Sequence, residues 1–233
     1  MSNPIFCALD TNDLDRARKL GIAVNDHVGG LKVGKEFFTA HGPEGVRQIV
    51  PSGVPLFLDL KFHDIPNTVA GAVRAACMLH PAMINVHASG GTAMMEAALA
   101  AAQESDLPPW VLGVTVLTSL DARDLASIGI TGSPQDHVLR LAALAQHAGL
   151  AGVVCSAREI SALRAACGPD FKLVVPGIRP EGSAVGDQKR TMTPAEALEH
   201  GADVLVIGRP ITAASDPAAV AQAIRLSLGS LAA

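Results

Sequence analysis

The sequence predicts a (β/α)8 TIM barrel, an α/β fold in which eight parallel strands alternate with helices. Short apolar runs rich in β-branched residues alternate with longer Ala-rich runs of helical period along the 233 residues. Reactive side chains recur where the short runs end, as in barrels whose strand ends form one mouth. Composition agrees, because 49% hydrophobic and 17% charged residues suit a buried parallel sheet wrapped in helices.

The predicted elements follow from periodicity and from the turn residues between them. Eight strands are expected at residues 5–9, 30–33, 56–60, 83–86, 111–116, 152–155, 172–175 and 204–207. Helices are expected at residues 14–24, 43–50, 69–80, 92–102, 135–148, 157–166, 194–200 and 217–228. Thr193 and Asp216 each precede a proline and are interpreted as helix caps.

No Gly-, Ser- or Pro-rich linker interrupts this alternation, so we expect one domain over residues 1–233. An open, doubly wound sheet is the alternative fold. Its usual fingerprint is missing, because no G-x-G-x-x-G follows the first predicted strand.

Composition excludes several classes of function. The net charge of −4, the absence of tyrosine and the single Trp110 argue against nucleic-acid binding. No apolar run reaches membrane-spanning length and no secretory signal is seen, so a cytoplasmic protein without membrane partners is expected. The four cysteines lack a C-x-x-C spacing and the histidines lack H-x-H or H-E-x-x-H, so reduced thiols and no metal are expected.

The most informative motif is Asp59-x-Lys61-x-x-Asp64 at the end of the third predicted strand. Side chains two apart in a strand share a face, so Asp59 and Lys61 project together. Lys32 is expected beside Asp59, on the neighbouring strand, which makes an alternating Lys-Asp-Lys array. A structural ion-pair cluster or a rim salt bridge is the alternative interpretation.

An anion site is predicted after the eighth strand. After the eighth predicted strand, Gly208 lets the backbone approach a ligand closely and Arg209 offers a guanidinium suited to phosphate. Barrels often bind phosphate in the loops after strands seven and eight. The long polar loop after strand seven, residues 182–188, fits a lid over such a ligand, although it could also be a solvated connector.

Residues 58–68, Leu-Asp-Leu-Lys-Phe-His-Asp-Ile-Pro-Asn-Thr, resemble the signature of the orotidine 5′-phosphate decarboxylase family. Further segments are similar to that family's other motifs, in order: Ala-Leu-Asp10, Leu-Lys32-Val-Gly, Val-Thr-Val-Leu-Thr118-Ser, Val-Pro176-Gly-Ile-Arg179, Gly-Asp-Gln188 and Ile-Gly208-Arg209-Pro. Asp-x-Lys-x-x-Asp alone is less specific, because sugar-phosphate enzymes such as 3-keto-gulonate 6-phosphate decarboxylase and hexulose 6-phosphate synthase share it.

The resemblance implies that orotidine 5′-monophosphate is decarboxylated to uridine 5′-monophosphate, the last step of pyrimidine synthesis, without a cofactor or metal. It implies that Asp59 faces the substrate carboxylate and that Lys61 stabilises and protonates the C6 carbanion. It also implies that Lys32 orders the array and contacts the ribose. The remaining substrate contacts implied are Asp10 with ribose, Thr118 with the pyrimidine edge, Pro176 beside the ring, and Gln188, Gly208, Arg209 and Arg179 at the phosphate.

The resemblance also implies a homodimer whose active sites lie at the interface. Asp64, Ile65 and Thr68 are then expected to enter the site of the other subunit. Two rival functions stay open from the residues: a magnesium-dependent decarboxylase or aldolase of the same barrel group, and a non-catalytic nucleotide-binding barrel. The first would need an acidic residue near the second strand, where this chain has Lys32.

Overall fold

The central feature of the computed structural model is a closed barrel of eight parallel strands in the order of the chain. The structure describes residues 3–51, 53–180 and 192–229. The strands are β1 (Ile5–Ala8), β2 (Gly30–Gly34), β3 (Leu56–Phe62), β4 (Met83–His87), β5 (Trp110–Val114), β6 (Gly152–Val154), β7 (Lys172–Pro176) and β8 (Val204–Ile207). The predicted TIM barrel is therefore confirmed, and the open sheet is excluded because β1 pairs with both β2 and β8.

Helices surround the barrel. In the described ranges they are α1 (Leu14–Val24), α2 (Lys35–Ile49), α3 (Pro66–Cys77), α4 (Thr92–Gln103), α5 (Ala122–Ser127), α6 (Pro134–His147), α7 (Ile160–Cys167), α8 (Pro194–Glu199), α9 (Arg209–Thr212) and α10 (Pro217–Leu228). Each main helix buries one stripe, as α3 does with Val69, Val73 and Ala76. No helix of the described residues is long and apolar enough to cross a membrane.

Several predicted boundaries were wrong. α2 consists of two helical parts separated by a kink at Gly42, whose φ is 59°. The part after the kink agrees with the helix predicted from residue 43, but the part from Lys35 to the kink, directly after β2, was not predicted. α5 and α9 were not predicted, since both are too short to show a helical period. β5 ends at Val114 rather than at residue 116, which leaves Thr118 in the loop that follows.

The hydrophobic core has two layers. One lies between the strands and the helices, and the other fills the inside of the barrel. The inner layer contains Phe6, Phe57, Met83 and Leu112, all at most 1% exposed. Bulky side chains therefore plug the barrel, so that a ligand can enter only at an end.

Local signals in the sequence place the helix starts. Thr193 accepts a hydrogen bond from the Glu196 N–H, and Asp216 accepts one from the Ala219 N–H, which confirms both predicted caps. The predicted thiols are also confirmed, because all four cysteines are free. These features stabilise the barrel and leave the polar strand ends to be explained separately.

Candidate active site

A cavity of about 440 Å³ opens at the carboxyl ends of the strands. It is the mouth that the alternation of elements predicted. Its walls include predicted site residues from six strand ends: Asp10, Lys32, Asp59, Lys61, Thr118, Pro176, Arg179, Gly208 and Arg209. The cavity floor is apolar, with Ala8, Phe57 and Val206 from the inner core layer.

Lys32 is the most buried charge of the cavity, with 7% of its side chain exposed. Its Nζ donates to Asp10 Oδ1 at 2.9 Å and lies 3.3 Å from Asp59 Oδ2. The strand register pairs Lys32 with Phe57 and Gly34 with Asp59. The predicted contact with Asp59 is therefore present, but Asp59 is not the register partner of Lys32. The lysine side chain reaches diagonally to Asp59, which lies two residues beyond Phe57 toward the mouth.

Gly34 leaves the space that this diagonal contact needs. A Cβ at Gly34 would lie 3.1 Å from Lys32 Nζ and 3.2 Å from Asp10 Oδ1. Those distances are tighter than ordinary van der Waals contact. The glycine thus allows the ammonium and the Asp10 carboxylate to meet at the cavity wall.

Lys61 approaches the same carboxylate from the other side. Its Nζ donates to Asp59 Oδ1 at 2.5 Å, and a quarter of its side chain is exposed to the cavity. Its φ is 52°, in the left-handed region that side chains with a Cβ rarely adopt. Strained backbone of this kind persists where the surrounding structure enforces it, often at functional sites.

Asn85 on β4 completes the cluster and was not predicted. It is fully buried, its Nδ2 donates to Asp59 Oδ1 at 2.7 Å, and its Oδ1 accepts the Lys61 N–H at 2.7 Å. The available signal was a single amide inside the apolar strand Met-Ile-Asn-Val-His. A buried polar side chain needs a partner, but its sequence does not show which one.

The two central charges stabilise one another. Burial by itself would raise the pKa of the Asp59 carboxyl, but Lys32, Lys61 and the hydrogen bonds from Lys61 and Asn85 outweigh it and hold that pKa below its ordinary value. Burial would likewise lower the pKa of Lys32, but Asp59 and Asp10 outweigh it and raise that pKa. Asp59 and Lys32 therefore both stay charged around neutral pH, as the predicted array requires.

The predicted anion site lies at the end of β8, next to β1, where a Cβ at Gly208 would lie 3.9 Å from Asp10 Oδ2. Gly208 is the N-cap of α9, and the exposed Arg209 begins that helix. Arg179 is 8% exposed and donates its backbone N–H to the Met192 carbonyl. Gln188, predicted to contact the same group, lies outside the described residues, as do residues 182–187 of the predicted lid.

Three predicted residues do not reach the cavity of their own chain. Asp64, Ile65 and Thr68 follow β3 and are exposed, with Ile65 at 66%. Asp64 Oδ1 accepts the N–H of Ile65, the N-cap residue of α3, at 2.7 Å. Their side chains lie outside the mouth that the other predicted residues line.

The histidines near the array form no metal site. His63 stacks against His87 with ring centroids 5.3 Å apart, and neither lines the cavity. Burial, and next the neighbouring His63, lower the pKa of His87 to about 4. Across the described ranges, no three His, Cys, Asp or Glu side chains are grouped so as to hold a metal ion.

Fold and site together place the chain among the (β/α)8-barrel enzymes whose active site is the carboxyl-end mouth. The chain belongs to the orotidine 5′-phosphate decarboxylase / HUMPS family, whose model matches residues 3–224. The resemblance found in the motifs is thereby confirmed over nearly the whole chain.

Individual relatives agree with this assignment. A protein of Rhodospirillum rubrum named orotidine 5′-phosphate decarboxylase is 57% identical, covering 98% of this chain and 94% of the relative. One of Vibrio cholerae with the same name is 53% identical and covers 98% and 100%. The crystal structure of orotidine 5′-phosphate decarboxylase from Lactobacillus acidophilus has a TM-score of 0.87 and 35% identity, covering 97% of this chain and 99% of that one.

Proposed function

We propose that this protein decarboxylates orotidine 5′-monophosphate to uridine 5′-monophosphate and carbon dioxide, the last step of pyrimidine synthesis. The observation that carries the proposal is the buried Lys32–Asp59–Lys61 array in the mouth, in a chain that belongs to the decarboxylase family. The array holds a carboxylate and an ammonium side by side at the cavity wall. That pairing suits a reaction in which a carboxylate leaves and a proton takes its place.

In the proposed step, the bond between C6 and the carboxylate carbon breaks and its electron pair stays on C6. Carbon dioxide leaves, and the Lys61 ammonium transfers a proton to C6. The lysine then regains a proton from water, so the enzyme is unchanged. Asp59 faces the substrate carboxylate, and Lys32 keeps Asp59 ionised and in place.

The sizes of the two effects assign the larger share of the rate acceleration to Lys61. Asp59 at about 4 Å from the substrate carboxylate repels it by about 4 kcal/mol at an effective dielectric near 20, or about three decades in rate. This repulsion alone does not supply the rate acceleration that the decarboxylation requires. The preorganised ammonium stabilises the charge that develops on C6 and therefore supplies the dominant effect.

The remaining cavity residues bind the nucleotide in this proposal. Asp10 accepts from a ribose hydroxyl next to its bond from Lys32. Thr118 contacts the pyrimidine edge and Pro176 lies beside the ring. Gly208 and Arg209, with Arg179 and Gln188, bind the phosphate and supply the remote binding energy that holds the reacting ring against Lys61.

The activity is tested by the loss of the orotate chromophore absorbance when the purified protein is mixed with orotidine 5′-monophosphate. Turnover at a rate typical of enzymes is expected. No change in absorbance would overturn the proposal. The assay with and without EDTA separates this reaction from the magnesium-dependent alternative, because inhibition by EDTA would favour that alternative.

We further infer a homodimer in which Asp64, Ile65 and Thr68 complete the site of the partner. Their position supports this, since all three are exposed and follow β3, the strand that carries Asp59 and Lys61, without lining the cavity of their own chain. A cytoplasmic protein with one domain over residues 1–233 is also proposed.

Subunit mixing tests the shared site. Lys61→Ala and Asp64→Ala are each expected to be inactive alone. After equal amounts are unfolded together and refolded, the mixture should regain about a quarter of wild-type activity, because about half of the dimers are heterodimers and one of the two sites in each heterodimer is intact. If Asp64 acts in its own subunit, mixing restores nothing, and sedimentation as a monomer would also contradict the proposal.

A further inference from the structure

The β3 strand bulges beside Asn85. Leu58 pairs with Ile84, but the next pair joins Phe62 to Val86. Residues 59–61 of β3 therefore face a single residue of β4, and that residue is Asn85. Bulges of this kind redirect side chains and are common next to active sites.

The Asn85 amide connects the two ends of the bulge. Its Oδ1 accepts the backbone N–H of Lys61, and its Nδ2 donates to Asp59 Oδ1, both at 2.7 Å. This orientation of the amide is the one that pairs a donor with each acceptor, since an N–H cannot accept and a carboxylate cannot donate. The amide is fully buried, so water does not compete for either bond.

The geometry of Lys61 depends on such a restraint. A φ of 52° is unfavourable for a residue with a Cβ, and the backbone would relax toward a regular strand without a compensating bond. Relaxation would turn the lysine side chain relative to the cavity. Asp59 Oδ1 would also lose one of its two donors, and the carboxylate would be held only by the two lysine side chains.

We propose that Asn85 is a positioning residue that clamps the Lys61 backbone and the Asp59 carboxylate, so that ammonium and carboxylate meet the substrate at a fixed separation. The proposal rests on the proposed function. It assigns to the fourth strand a role in the reaction that the Asp-x-Lys-x-x-Asp motif does not contain.

The first test is Asn85→Leu, which keeps the number of heavy atoms and the branched shape of the side chain and removes both hydrogen bonds. We expect kcat to fall roughly 10- to 100-fold, while the dissociation constant of uridine 5′-monophosphate changes less than about threefold. Thr115→Val is the matched control. It removes a buried hydroxyl that donates to the Val154 carbonyl at 3.1 Å, and Thr115 does not itself line the cavity, so kcat should stay the same.

The second test is Asn85→Asp, which makes the clamp depend on a proton. When the new carboxyl is protonated, its O–H can donate to Asp59 and its other oxygen can accept the Lys61 N–H. When it is ionised, two carboxylates face each other. Burial and Asp59 raise the pKa of the new carboxyl, so the ionised form appears only as the pH rises.

The charged and titratable groups around position 85 do not obscure the titration of the new carboxyl. From β3 it faces Asp59 and Lys61, with Lys32 behind them on β2, and from β5 its register partner is the apolar Leu112. His87, two residues further along β4, has a pKa of about 4 and is neutral above that pH. The ratio of kcat in Asn85→Asp to wild-type kcat should therefore fall about tenfold per pH unit above the new pKa.

The outcomes separate the inference from the function on which it rests. A low, pH-independent ratio for Asn85→Leu with a falling ratio for Asn85→Asp supports the clamp. If the wild type is active and Asn85→Leu retains a third or more of its kcat, the clamp alone is overturned. A ratio of Asn85→Asp kcat to wild-type kcat that does not change with pH also overturns the clamp. An inactive wild type overturns the proposed function and the clamp together.

Discussion

Both ends of the barrel carry a partly buried cluster of charges, and the two clusters differ in what their charges bind. At the mouth, Lys32 and Lys61 share the carboxylate of Asp59 and face a cavity. At the opposite end, where β7 and β8 begin, Arg164 and Lys172 share the carboxylate of Asp203. Each cluster thus has two cations around one central aspartate, and Lys32 of the mouth cluster also pairs with Asp10.

The partners of the second cluster are mostly backbone groups. Arg164 donates to the carbonyls of Gly168, Phe171 and Gly201, and Asp203 accepts the N–H of Leu173. Such bonds tie the loops that precede β7 and β8 to one another. Charges bonded to the backbone hold the chain, whereas charges bonded mainly to side chains beside a cavity are available for chemistry.

The largest expected effect separates the lysines of the two clusters. Lys61→Ala should lower kcat by roughly three orders of magnitude or more, because it removes both the proton donor and the positive charge. Uridine 5′-monophosphate should still bind, as measured by calorimetry. Lys172→Ala is the matched control, with kcat unchanged and a loss in unfolding free energy of less than about 1 kcal/mol. A Lys61→Ala variant with a tenth of wild-type rate would contradict the role of Lys61.

Arg164 should show the reverse pattern. Arg164→Ala leaves several carbonyls without this donor and removes one of the three donors of the Asp203 carboxylate, so the unfolding free energy should fall by about 3 kcal/mol. Urea denaturation measures this loss. The kcat of the folded fraction is expected to match wild type, since the cluster lies at the far end of the barrel from the cavity. A large drop in kcat with unchanged stability would end the distinction between the clusters.

The sequence predicted the mouth better than the opposite end. Asp59 and Lys61 follow from strand periodicity, and Lys32 from the adjacency of β2 and β3. Asn85 could not be found in this way, because its partners depend on a bulge in β3 that is not marked by any turn residue in the sequence. Gly34 and the φ of Lys61 likewise become informative only when the register is known. The substrate came from the family motifs, since the array alone fits more than one phosphorylated ligand.

Lowering the pH should reduce the contribution of the mouth cluster to the free energy of unfolding. Because the pKa of Asp59 is lower in the folded protein than its ordinary 3.8, its contribution to stability is present above that value. It is lost as the pH falls through the folded pKa. Asp59→Asn should therefore reduce the unfolding free energy by about 2 kcal/mol at neutral pH, and the difference should shrink below about pH 4. Urea titrations of both proteins across this range would show it; a difference that grows with acid has the wrong sign.

The smallest effect tests whether the partners or the end of the barrel decide the role of a charge. Asp216 precedes α10, which follows β8 on the mouth side, but its carboxylate accepts the backbone N–H of Ala219 at 3.0 Å. Asp216→Ala should therefore cost about 1 kcal/mol of unfolding free energy, as loss of a helix cap does. Its kcat should stay at the wild-type value, and Asp216→Ser should recover most of the stability. If kcat fell instead, proximity to the mouth would matter more than the hydrogen-bond partner of the carboxylate.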